Sequence, residues 1–349
     1  MHARLQRLRA RTNGYTVTPH QYVYFAYVAL GALTVIVLTG AAVRLSGSGL
    51  GCPTWPKCYG NLYPPLKTHA LIEFSNRVVS VPVCLAAGFA WLAALRRRPY
   101  RRDLMWLGAL LPAGVVAQAV LGGLTVRGKL DYGWVMGHFA LSMLILVAAA
   151  VLAFRARAAA GEAPGAAPAS AAAPAAGSRA YSDPTLVKGL WALLGLGALT
   201  IFAGTAATAA GPHAGGEPGQ KINRLDFDGR GTMDFVIHRH AEIAFAFSVL
   251  AVGLWWLARR RAAAPALQRS LTVLCVLLAV QGAVGLDQYE THLPTELVWV
   301  HVGLACAVWL TALWAACTAG RLAPKALRSG LERSRSPQEA LAPLNSPGN

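Results

Sequence analysis

Tyr22 to Val43 reads YVYFAYVALGALTVIVLTGAAV, an apolar run without a single charge. Roughly 20 such residues are what an α-helix needs to cross the hydrocarbon of a bilayer. The pattern of 22–43 recurs at about 69–95, 104–126, 132–154, 186–210, 233–258, 267–286 and 295–317, in a chain of 349 residues that is 55% hydrophobic and only 13% charged. The predicted fold class is therefore all-α: a polytopic membrane protein with eight transmembrane helices. No β-barrel alternation competes. The first span follows a basic segment and lacks a small-residue cleavage site, so it reads as a retained helix and not a signal peptide.

The net charge is +17. The basic residues form no single patch, so nucleic acid is not implied. They collect before the first span (Arg4, Arg7, Arg9, Arg11), between the second and third (Arg96, Arg97, Arg98, Arg101, Arg102), between the fourth and fifth (Arg155, Arg157, Arg179, Lys188), between the sixth and seventh (Arg259, Arg260, Arg261, Arg269), and after the eighth (Arg321, Lys325, Arg328, Arg333, Arg335). These are alternate connections, and the positive-inside rule puts them in the cytoplasm with both termini. The loop RLSGSGLGCPTWPKCYGN, Arg44 to Asn61, is then outside the cell membrane, where disulfides can persist. Cys84, Cys275, Cys306 and Cys317 fall within apolar spans and read as small buried hydrophobes; Cys52 and Cys58, in this loop, do not.

The stretch GEAPGAAPASAAAPAAGS, 161–178, has no helical period and reads as a flexible linker. It splits the chain into two sets of four spans. Three landmarks recur across it: GAAVRLSG at 40–47 against GTAATAAG at 204–211, Gln118 with Gly122 against Gln281 with Gly285, and His138 against His301, at offsets of 163 or 164. An even number of spans per half makes the repeats parallel, and two pseudo-symmetric four-helix bundles are the simplest architecture. The predicted organisation is a cytoplasmic segment over 1–21, one bundle over 22–154, a cytoplasmic linker over 155–185, a second bundle over 186–317 and a disordered cytoplasmic tail over 318–349.

Ionisable groups inside apolar spans are costly and so point to function. His69, Glu73, Asn76 and Arg77 share one face of the second helix; His138 lies on the fourth; His238, Arg239, His240 and Glu242 open the sixth; His301 lies on the eighth. One inward histidine on each of two helices suits bis-imidazole ligation of a heme iron. A lone membrane histidine is otherwise hydrogen-bonded glue between helices, and the recurrence of His138 as His301 favours ligation. No H-x-x-x-H or cysteine cluster points to zinc. Glu73 at membrane depth either relays protons or forms a structural pair with Arg77.

RLSGSGLGCPTWPKCYG, HALIEFSNR, GHFALSM and AGPHAGG, together with the eighth-helix histidine, resemble the heme A synthase family over about residues 20–317. That resemblance implies oxidation of a methyl group of heme O, through an alcohol and a gem-diol, to the formyl group of heme A. The first bundle would take the substrate heme and the second a heme b. Glu73 matches the family's essential glutamate, His138 and His301 its fourth- and eighth-helix ligands, and Cys52 with Cys58 its outer-loop pair, either a disulfide or a redox dithiol. His69 is a further catalytic candidate, His238 and His240 compete to be the remaining iron ligand, with His238 slightly preferred, and Arg44 and Arg77 are candidates for the heme propionates.

Two departures stand out. Asn76 occupies the place where many members carry a ligand histidine, and His69 lies two turns away, roughly 10 Å at 1.5 Å per residue. The later loop, GPHAGGEPGQKINRLDFDG, has no cysteines. Implied partners are heme O, membrane lipid, the farnesyltransferase that makes heme O and cytochrome oxidase assembly factors, with a homo-oligomer left open. A bis-histidine cytochrome b that only transfers electrons and a heme transporter or chaperone are the alternatives.

Overall fold

Thr18 starts the first helix with a capping box: its hydroxyl accepts the Gln21 N–H, the Gln21 side chain accepts the Thr18 N–H, and Pro19 fills the first helical position. The computed structural model describes residues 14–161, 183–217, 219–227 and 231–319. Among the described residues eight helices follow one another: α1 (Pro19–Leu45), α2 (Thr68–Arg96), α3 (Arg102–Arg127), α4 (Tyr132–Ala159), α5 (Pro184–Ala210), α6 (Thr232–Arg260), α7 (Pro265–Glu290) and α8 (Thr295–Thr318). Each is long and apolar enough to cross a membrane, and each coincides with an expected span. Caps extend several of them; Asp131 accepts the Gly133 N–H ahead of α4, and Asp183 accepts the Thr185 and Leu186 N–H groups ahead of α5. A hydrogen bond from Arg261 holds the Asp183 carboxyl below its usual range. The basic residues before Asn13, most of the expected linker (162–182) and the expected tail from 320 lie outside the described residues.

The helices are built for lipid. Along α2, Val78, Val81, Leu85, Phe89 and Leu92 stand exposed at helical spacing, while Ala87, Ala90 and Ala94 are buried on the other side. Large apolar side chains face outward and small ones let helices approach, the reverse of a water-soluble core. In the first half α1 packs on α2 and α4, and α3 packs on the same two; in the second, α5 packs on α6 and α8, and α7 completes the ring. The two four-helix sets meet along α8, which touches α1 and α4, and where α4 touches α5. Two indole N–H groups cross this boundary, from Trp299 to the Leu38 carbonyl at 3.0 Å and from Trp309 to the Met143 carbonyl at 3.4 Å.

The two ends of the molecule differ chemically. At one end, Val17 pairs with the α2 terminus through Arg96 and Arg98, and Arg97 is buried with its guanidinium on the Pro99 and Ala159 carbonyls. Arg97 is thus a strut between α2 and α4, although the sequence presents it as one of a run of solvated charges. At the other end lie the connections that follow α1 and α5, which meet where the Gly49 N–H donates to the Gly215 carbonyl at 2.8 Å; from the second of them Asn223 also reaches the carboxylate of Asp131, the cap of α4.

Candidate functional site

His240 on α6 and His301 on α8 face each other inside the second helix set, with ring centroids 6.3 Å apart and planes at 68°. Glycines on the flanking helices admit the rings. A Cβ on Gly204 of α5 would stand 3.0 Å from His240 Cε1, and one on Gly285 of α7 would stand 3.2 Å from His301 Cε1. His240 Nδ1 lies 3.0 Å from the Thr200 carbonyl. A carbonyl only accepts, so Nδ1 carries the proton and Nε2 keeps its lone pair. His301 Nδ1 is buried without a partner among the described residues, as is Oε1 of Gln281, whose Nε2 donates to the His301 carbonyl at 3.2 Å.

Of the two candidates on α6, His240 is the one turned toward His301. Two residues along a helix turn a side chain by about 200°, so His238 and His240 cannot both face inward. His238 is exposed, takes the Asp234 carbonyl at 2.7 Å and sets its ring edge-on to Tyr289.

The first helix set repeats the arrangement with one change. His138 on α4 stands where His301 stands: Gln118 Nε2 donates to its carbonyl at 2.9 Å, Gly122 lies against its ring, and its Nδ1 and the Oε1 of Gln118 are both buried and unpartnered. Opposite, the place of His240 is held by Asn76, whose Oδ1 accepts the Thr39 hydroxyl at 2.7 Å. His69 does not fill the gap. Its Nδ1 is bonded to Ser48 Oγ at 2.9 Å, at the root of the loop.

Glu73 and Arg77 serve the loop above this set. Cys52 and Cys58 form a disulfide and are fully buried. Glu73, 6% exposed, accepts the Cys52 N–H at 2.7 Å through Oε2 and pairs with Arg77 through Oε1. Arg77 also donates to the carbonyls of Cys52, Thr54 and Pro56 at 3.0, 3.1 and 3.2 Å. Gly51 lies so close to α2 that a Cβ would fall 2.1 Å from the His69 carbonyl oxygen, and Trp55 packs on Gly123 of α3. Arg44 points across to the second half, where its Nη2 donates to the Thr208 carbonyl at 3.0 Å, while its Nε is buried and unpartnered. Both arginines expected at propionates are thus spent largely on backbone carbonyls. Thr39 and the Thr200 carbonyl, absent from the sequence reading, are the polar groups that orient Asn76 and His240.

Two repeated four-helix sets, each with an inward histidine on its fourth helix and a polar partner on its second, define an all-α polytopic membrane protein. The family model described as cytochrome oxidase assembly protein matches residues 23–71 and 65–313, and the chain belongs to that family. A heme A synthase of Shewanella oneidensis is 27% identical over 320 residues, covering 83% of this chain and 94% of the relative. The match to a heme A synthase of Lysinibacillus sphaericus is more local, 34% over 136 residues, or 37% of this chain and 43% of that one. A protein of Thermus thermophilus named protoheme IX farnesyltransferase is 27% identical over 315 residues, 86% of this chain but 47% of its own length.

Arg77→Met leaves the Glu73 carboxylate buried without its cation. The expected loss is about 3 kcal/mol, exceeding that of the Glu73→Gln, Arg77→Met double variant; unfolding of the detergent-solubilised protein, run as a double-mutant cycle, measures it. Gly51→Ala forces the loop off α2, and its Cys52–Cys58 bond is expected to be reduced and labelled by maleimide faster than in the unaltered protein.

Proposed function

We propose that this chain is a heme A synthase: an oxidoreductase that takes heme O in the helix set of 22–154 and converts a methyl group to the formyl of heme A, with a resident heme b in the set of 186–317. The observation that carries the reading is the His240–His301 pair and its repetition around His138. Imidazole nitrogen binds a first-row metal at about 2 Å, and two such bonds end to end fit between ring centres 6.3 Å apart. The tautomer set by the Thr200 carbonyl leaves Nε2 as the ligand atom, as a carbonyl-braced metal histidine requires. His138 and His301 are alike in a further respect: each has its carbonyl on the Nε2 of a glutamine, and its Nδ1 and that glutamine's oxygen are both unpaired among the described residues.

When bound, the porphyrin irons supply the electron transfer and oxygen chemistry. The protein supplies the rest. His240 and His301 hold the second-half group, and His138 holds the substrate from α4. Glu73 holds or releases a proton at Oε1 while Oε2 stays on the Cys52 N–H, so its protonation is linked to the seat of the disulfide loop. The loop and Trp55 keep bulk water from the pocket beneath. The disulfide end is outside and the arginine-rich end cytoplasmic, in keeping with the positive-inside rule and with a persistent disulfide. The Thermus relative supports a partnership with a heme O-forming farnesyltransferase, because the region it shares with this chain takes up about half of a protein with that name.

The test is chemical. Purified protein given heme O, reductant and oxygen is expected to yield hydroxylated and formyl porphyrins on extraction and mass analysis; recovery of unaltered heme O alone, as an electron-transfer cytochrome or a transporter would give, overturns the reading. His240→Ala and His301→Ala are each expected to remove the low-spin heme spectrum, whereas His238→Ala retains it.

A further inference from the structure

Resting on the reading that the first helix set takes an iron porphyrin, we infer that the face opposite His138 is a site for a small exogenous ligand, diatomic or water-sized, that accepts a hydrogen bond from Asn76 Nδ2. The case comes from comparing the two halves position by position. At an offset of 164, His240 corresponds to Asn76, Gly204 to Gly40, Thr200 to Ile36 and Ala203 to Thr39. The glycines keep their places, so the pockets have the same wall: Gly204 lies under His240, and a Cβ on Gly40 would stand 4.0 Å from Asn76 Nδ2. The polar partners do not. In the second half the residue-200 carbonyl braces an imidazole. In the first, the hydroxyl of Thr39 lies 3.3 Å from the equivalent Ile36 carbonyl and donates to Asn76 at 2.7 Å.

The hydroxyl exists only in the half that carries the carboxamide. Because Thr39 occupies Oδ1, the amide is turned so that Nδ2, a double donor, is the end left over, and no hydrogen bond engages it among the described residues. Asn76 is half-buried. A carboxamide ends short of where an imidazole would, and an amide nitrogen is no ligand for iron. What remains opposite His138 is one N–H donor, oriented by Thr39. His69, the other candidate for that face, is held at the loop root by Ser48. Asn76 and Thr39 thus act as a positioning and ligand-binding pair that the second half has replaced by a closed imidazole site.

Carbon monoxide is the probe. The full-length protein, loaded with heme b in both halves and reduced without oxygen, is expected to bind carbon monoxide at one of its two hemes, the other staying low-spin. Asn76→His is expected to abolish that binding and to add a second low-spin signal in the electron paramagnetic resonance of the oxidised protein. Asn76→Ala and Thr39→Val, which fill no coordination position, are expected to retain binding with about tenfold weaker affinity, the worth of one hydrogen bond to a buried acceptor, and with a raised C–O stretching frequency. The inference is overturned if the unaltered protein holds two low-spin hemes that refuse carbon monoxide, or if Asn76→Ala leaves both affinity and frequency unchanged. Failure of the underlying reading looks different: the protein would load a single heme, and His138→Ala would leave its heme content unchanged.

Discussion

Within a bilayer no water is present to satisfy a polar group, so each one brought into the helix bundle must find its partner in protein. This constraint organises the molecule. Threonine hydroxyls along the spans fold back on carbonyls of their own helices, as Thr34 and Thr311 do, and indoles reach the carbonyls of neighbouring helices. The few polar groups that depart from this housekeeping stand out: Asn76, His138, His240 and His301, with Glu73 and Arg77 just above. Their convergence near one end follows from the same economy, because charge is cheapest where a loop supplies N–H and C=O groups in numbers.

The repeat shows how two chemically different pockets arise from one frame. Glycines under the rings and glutamines beside them are kept in both halves. Among the groups that flank the rings, the halves differ at Asn76 against His240 and at Thr39 against Ala203. The glycines fix the helix spacing on which the packing depends, whereas Thr39 and Asn76 meet side chain to side chain and can change without bringing the helices closer. The farther loop diverges too; the first half pins its loop with a disulfide and an arginine, while the second relies on His213 reaching the Leu293 carbonyl.

Much of this was legible in the residues. Eight apolar runs gave eight helices, because a span needs only length and apolarity. His138 and His301 were found because they recur at one offset. Between His238 and His240 the dipeptide pattern and the spacing disagreed, and only the helix rotation, which depends on how α6 packs, decides which faces inward. Thr39 was hidden in an apolar run, and the Thr200 carbonyl is backbone, which no side-chain pattern reveals. Arg97 looks like its solvated neighbours and is buried, since burial there depends on Val17 folding back over α2. The arginines expected at propionates were read by charge alone, without the carbonyls that the loops bring to them.

The seam between the loops constrains how the molecule can move. Gly49 bonds to Gly215, Gly47 approaches so near that a Cβ would touch the Gly216 carbonyl, and Arg44 crosses to Thr208. A rocking-bundle transporter opens alternately toward each side of the membrane by swinging one half against the other. Here that swing would break the Gly49–Gly215 and Arg44–Thr208 hydrogen bonds and part the close-set Gly47 and Gly216. The seam therefore fastens the two helix sets to each other at the loop end, as one fixed roof over both.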